Sequence, residues 1–157
     1  MPDRIPALLQ VMSAAPTLSA IVGGRIYDEE IPDFAIARMP RPTLVLMRAG
    51  GSPVAGGSSY NDFSATRVDV RVFAWKTIQS AADLELKVFD VLRNLPTSTV
   101  GDCVIYSIVA SGGPIAIRVM PFPRIQGYPD TEAADVSTRW PYVQRSWSIL
   151  AADVAAA

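Results

Sequence analysis

The clearest periodicity in the chain is a two-residue alternation from Phe63 to Trp75. It puts Val68, Val70, Val72 and Ala74 on one side of an extended strand and Arg67, Asp69, Arg71, Phe73 and Trp75 on the other. The apolar run from Thr43 to Ala49 also has strand length, and the two are expected to form a long β-hairpin. Between them, Gly50 to Asp62 is too long for a tight turn and rich in Gly and Ser, which predicts a mobile hairpin tip over 50–62. The valine side is the expected core. The opposite side begins charged and ends aromatic, so Phe73 and Trp75 are expected to be covered by the following helix or by another chain.

Helical spacing marks two further segments. Ile5, Leu8, Leu9 and Met12 predict a first helix, capped by Asp3, with Pro6 in its first turn and Pro16 as its end. Asp3 opposes a positive leader and Pro6 and Gln10 break the apolar run, so the segment reads as the first helix of an intracellular protein, not as a signal or a membrane span. An apolar turn, Leu18 to Val22, and Gly23-Gly24 lead to a strand-like Arg25-Ile26-Tyr27-Asp28 and an acidic corner at Asp28, Glu29 and Glu30, followed by loop chemistry to Pro42. Ser80 with Asp83 three residues on opens a central helix to about Leu95. Leu84, Val88, Val91, Leu92 and Leu95 form its apolar stripe, with Glu85, Lys87, Asp90 and Arg93 on other faces, and Pro96 ends it.

Two strands are expected next, Asp102 to Ala110 and Ile115 to Met120, joined by a turn at Ser111-Gly112-Gly113-Pro114. A Pro-rich insertion follows over 121–137. The last strand, Trp140 to Ala151, alternates Val143, Arg145, Trp147 and Ile149 against Tyr142, Gln144, Ser146 and Ser148, and residues 152–157 are expected to fray as a flexible tail. A chain of 157 residues fits one domain, 1–157.

Composition changes this picture mainly by exclusion. There is no histidine, which removes the commonest general base and metal ligand, and the single cysteine, Cys103, sits in a strand pattern as a small core residue. No GxSxG or SxxK motif is present, and the Gly-rich stretch at 50–57 lacks the Lys-Ser/Thr that would contact phosphate. Asp28, Glu29 and Glu30 could hold a hard cation, but adjacent acids on a loop are ordinarily a solvated corner. No catalytic residue, metal or cofactor is expected. The net charge of -1 lacks the basic excess of a protein held to nucleic acid by its phosphates. Twelve of the fourteen cations are arginines, suited to fixed ion pairs at interfaces, although a G+C-rich genome gives the same bias.

The order of features is the informative signal: an amphipathic first helix, LSAIVGGRIYDEEIP, RPTLVLMRAGG, the alternating strand TRVDVRVFAW, the helix SAADLELKVFDVLRNL and late strands ending in RWPYVQRSWSIL. It resembles the tail completion proteins of long-tailed bacteriophages, the tail terminators and head-tail joining proteins also found in prophages and gene transfer agents. The insertion over 121–137 departs from that pattern. The resemblance implies an α+β fold, a mainly antiparallel sheet packed against the N-terminal and central helices. It also implies a non-enzymatic virion protein at the head-proximal end of the tail, assembled in the host cytoplasm. About six copies would close into a ring through heterologous contacts, ending the tail tube and meeting the head connector or neck protein. Such a ring would carry about six negative charges and let DNA through its lumen without specific binding. No membrane partner is expected. Two other readings stand beside this one: another neck adaptor, head-completion protein or tube subunit, and a small α+β enzyme or ligand-binding domain.

The expected subunit contact is the non-valine face of the hairpin strand, Arg67, Asp69, Arg71, Phe73 and Trp75, its arginines meeting the Asp28, Glu29, Glu30 corner of the next copy. Tyr60, Asp62 and Phe63 are the expected partner-contacting part of the loop.

Overall fold

Helices α1 (Ile5–Ala14) and α2 (Pro16–Val22) lead into β1 (Ile26–Asp28), a one-turn helix α3 (Asp33–Ile36), and the strands β2 (Thr43–Pro53) and β3 (Ser64–Phe73). The central helix α4 (Ile78–Arg93) follows, then β4 (Ser98–Val100), β5 (Cys103–Ala110), β6 (Ile115–Ile117) and β7 (Tyr142–Asp153). These elements belong to a computed structural model that describes residues 4–53, 64–75, 77–117 and 140–154. Asp3, the loop residues 54–63 and the insertion over 121–137 lie outside the described residues. The strands form one seven-stranded sheet in the order β1-β2-β3-β7-β5-β4, with β6 also paired to β7. Among the described residues only the β1–β2 pair is parallel. The fold is α+β, as expected.

The valine side of β3 is core. Val68, Val70 and Val72 pack with Leu44 and Leu46 of β2, Val143, Trp147 and Ile149 of β7, and the buried stripes of α1, α2 and α4. Pro16 does not stop helical structure but starts α2, because a proline's missing N–H costs nothing in a first turn. The two helices meet at 89°, and no single helix among the described residues is long and apolar enough to cross a membrane. Gly23 ends α2 at φ +53°, where its N–H donates to the Ser19 carbonyl at 2.9 Å.

Three boundaries differ from the sequence reading, each for a local reason. Strand β2 does not give way to loop at residue 50. Gly50, at φ +93°, supports a bulge between Arg48 and Gly51, after which pairing resumes from Gly51 opposite Thr66 to Pro53 opposite Ser64. Helix α4 begins one turn early, since the cap is Thr77, whose Oγ1 accepts from the Ser80 N–H at 3.1 Å. The last strand runs on to Asp153, so residues 152 and 153 do not fray: Ala152 is buried and Asp153 forms an ion pair with the buried Arg4.

Residues 111–114 are not a hairpin turn. β5 and β6 do not pair with each other; they run end to end along β7, β5 opposite residues 147–153 and β6 opposite residues 142–144. The break between them falls beside Arg145. Ser111 N–H donates to the Ser146 carbonyl at 2.8 Å, and Arg145 Nη1 donates to the Gly112 carbonyl at 3.3 Å.

Arg145 also explains a misassigned residue. Glu85, expected on an outer face of the helix, is 2% exposed and accepts from Arg145 Nε at 2.5 Å and Nη2 at 3.2 Å. The guanidinium lies 4.4 Å from the centre of the Phe89 ring, and Phe89 in turn packs on Trp147 at 5.7 Å. A forked pair of this kind joins α4 to the middle of β7 through two charges removed from water. Arg145→Met alone leaves a buried carboxylate unpaired and is expected to cost about 3–5 kcal/mol, whereas Glu85→Leu with Arg145→Met should recover most of that loss. Urea unfolding of the two variants checks this, and equal losses would mean that the pair itself stabilises the fold.

Candidate functional site

Helices cover one face of the sheet. On the other, α3 alone among the described residues provides a second layer, and it covers one end. Ile31 and Ala35 pack there on Val45, Phe73 and Tyr142, with Met39, Ile117 and Trp140 at the margin. Phe73, expected in a contact with another chain, is 2% exposed and stacks on Tyr142 at 5.1 Å. What covers it is the short α3 inside the stretch read as loop, not the helix that follows the strand. Trp75, two residues further on, is 59% exposed.

Beyond this apolar end the open face becomes a polar ladder, built by the register of β3 on β7. Arg71 lies opposite Gln144, Asp69 opposite Ser146 and Arg67 opposite Ser148. Arg71 Nε donates to Gln144 Oε1 at 3.0 Å, and its guanidinium sits 5.1 Å from the centre of the Tyr142 ring. Gln144 Nε2 passes the chain on to Asp69 Oδ2 at 3.1 Å, while Ser146 Oγ donates to Asp69 Oδ1 at 2.5 Å. The charge of Arg71 is thus linked through an amide to the charge of Asp69, and both Asp69 oxygens are occupied. Arg67 is exposed and makes no ion pair among the described residues. At the far margin Ile115 of β6 is 62% exposed.

The acidic corner is also engaged within the chain. Arg48 Nη1 and Nη2 donate to the two Asp28 oxygens at 2.7 and 3.0 Å, and Nη1 and the backbone N–H of Arg48 reach Glu29 Oε1 at 2.9 and 3.1 Å. Glu29 stands at φ +66°, a conformation held by its own N–H on the Leu46 carbonyl at 2.8 Å. Within the chain, Arg71 thus bonds Gln144 and Asp28 and Glu29 bond Arg48, while Arg67 of the expected contact stays exposed. Glu30 is exposed at the end of this turn. Tyr60, Asp62 and Phe63 lie outside the described residues. Sequence reasoning missed Arg48 and the role of Gln144 and Ser146. Their alternation was visible, but the register that sets them against Arg71 and Asp69 was not.

No group of three Cys, Asp or Glu side chains that could hold a metal occurs among the described residues. Cys103 lies on the helix-covered side, where Arg4 Nη1 approaches its sulfur at 3.5 Å. Burial pushes the Cys103 thiol up from its ordinary value, against the opposing pull of the Arg4 charge. A thiol kept protonated in this way is a poor nucleophile.

No protein-family model and no curated protein matches the sequence. A solved chain from the virion of a native gene transfer agent particle has a similar fold, with a TM-score of 0.57 and 12% identity over 94% of this chain and 92% of that one. At that identity the likeness is one of fold.

Two outcomes follow from the geometry. Arg71→Ala should cost about 1–2 kcal/mol in urea unfolding through its lost bond to Gln144 and its ring contact, and Arg67→Ala less than about 0.5 kcal/mol. For Cys103, the folded chain holds the thiol proton to higher pH than the unfolded chain. Its contribution is intact below the unfolded thiol range, about 8.5, and is lost as pH rises through the higher folded value. Unfolding free energy measured from pH 7 to 10 should therefore fall more steeply in the wild type than in Cys103→Ala.

Proposed function

We propose that this chain is a structural subunit of a phage-like virion, and within that class a tail completion protein. About six copies would close head to tail into a ring that ends the tail tube and joins it to the head connector or neck. The observation that carries the reading is the fold shared, along 94% of the chain, with a chain of a gene transfer agent virion. The order of sequence features, which resembles tail completion proteins, supports it independently.

The geometry suits a scaffold more than a reaction centre. The charged groups of the ladder are held by hydrogen bonds, Arg71 to Gln144 and Asp69 to Gln144 and Ser146, and Cys103 is buried under Arg4. In this reading the open face, with Arg67 and the Asp69–Arg71 ladder, contributes to contacts between copies or with tube and neck proteins, and so does the exposed Trp75 beside α4 on the other side. Phe73 and the Asp28–Glu29 corner support it from within the subunit. A lumen lined by copies of net charge -1 passes DNA without retaining it.

Deleting the gene from its virus or prophage should leave filled heads and tails that fail to join, with tubes of irregular length in electron micrographs. Joined particles of normal tail length would overturn the completion role. Heads that lose their DNA beside tails of normal length would favour the neck-adaptor alternative, and complete absence of tubes would favour a tube subunit.

A further inference from the structure

Two of the exposed apolar features among the described residues carry charged neighbours. The first is Phe34 on α3, 72% exposed although its neighbour Ala35 is buried. The second is a groove of about 250 Å³ on the opposite side of the sheet, floored by Pro42, Ala74 and Leu84 and rimmed by Trp75, Asp83 and Lys87. An apolar cavity of roughly 150 Å³ is enough to hold a benzene ring, so one aromatic side chain fits the space.

We propose that Phe34 of one copy seats in the groove beside Trp75 of the next, and that this contact sets the head-to-tail direction of assembly. The inference rests on the ring reading above and names the surfaces that would make it. Charge argues for a second copy as the occupant. Phe34 is flanked by Asp33 and, four residues along, by Arg38, while the groove is flanked by Lys87 and, four residues back, by Asp83. Asp33 can meet Lys87 and Arg38 can meet Asp83 in one orientation, and the reverse orientation sets like charges together. Asp33, Arg38 and Lys87 make no ion pairs among the described residues, and Asp83 accepts only from Gln79 Nε2 at 2.9 Å. Position argues for direction. α3 packs on the open side of the sheet, with Val45, Phe73 and Tyr142, whereas Leu84 and Ala74 belong to the helix-covered core. Knob and groove thus lie on opposite layers, a placement that suits a head-to-tail contact in which each copy uses one neighbour for each. Tryptophan at the rim of a groove is a common energetic centre of such contacts.

The test uses the full chain in solution. Phe34→Asp and Trp75→Ala are each expected to weaken self-association at least about 30-fold in sedimentation equilibrium while leaving the monomer's Tm unchanged. Asp33→Lys should weaken it too, and Lys87→Glu added to Asp33→Lys should restore it. In a Cys103→Ala background, Phe34→Cys and Trp75→Cys chains should form a disulfide dimer only when mixed with each other. Wild-type self-association that Phe34→Asp and Trp75→Ala leave intact, or cysteine cross-links confined to like pairs, would overturn this contact and leave the ring reading standing. A wild-type chain that stays monomeric at every concentration would overturn both.

Discussion

The pair between Glu85 and Arg145 is the constraint on which the arrangement of layers depends. Two charges withdrawn from water must find each other with good geometry or the fold loses several kcal/mol, so α4 can sit at only one height along β7. The same guanidinium holds the Gly112 carbonyl, which puts the interruption between β5 and β6 at the level of Arg145 and lets both strands follow β7. Phe89 and Trp147 extend the contact into the apolar core. A purely apolar contact between helix and sheet would tolerate sliding by a fraction of a turn, whereas a forked ion pair does not.

With the helices fixed on one side, the sheet acquires two unlike surfaces. The covered side is one apolar cluster from α1 to β7, interrupted by the Glu85–Arg145 pair and by Arg4 beside Cys103. Among the described residues the other side is closed at one end by α3 and elsewhere carries a hydrogen-bonded ladder, with Arg67 exposed beyond it. Antiparallel strands allow such a solvated face, so its openness alone says little. Its hydrogen bonding is more informative: Arg71, Gln144, Asp69 and Ser146 bond one another across two paired strands.

The likeness to a gene transfer agent virion chain agrees with that picture at the level of fold. Shared folds host many functions, and the proposal of a virion role draws its weight from the agreement of fold with the order of sequence features. The arginine-rich composition fits as well, since two of the arginines act as planar forks, Arg48 on Asp28 and Arg145 on Glu85.

Local patterns are legible in sequence because each depends on a short stretch of chain. The alternation of Val68, Val70 and Val72 settled which side of β3 is buried, the stripe of Leu84, Val88 and Leu92 settled the central helix, and the absence of histidine narrowed the chemistry. Partnership is different, because it depends on register and on which element happens to lie across the sheet. Nothing near Arg71 in sequence indicates Gln144, 73 residues away, and nothing near Glu85 indicates Arg145, 60 residues away. Glu85 looked solvated because charged residues usually are, and it is buried because one cation on a distant strand makes burial tolerable. Phe73 looked unpartnered because the one-turn helix that covers it is too short to leave a periodic signal. The sequence by itself determined the elements and their apolar sides; the tertiary structure decided which charges meet, since that choice is made by strands far apart in the chain and close only once the sheet has formed.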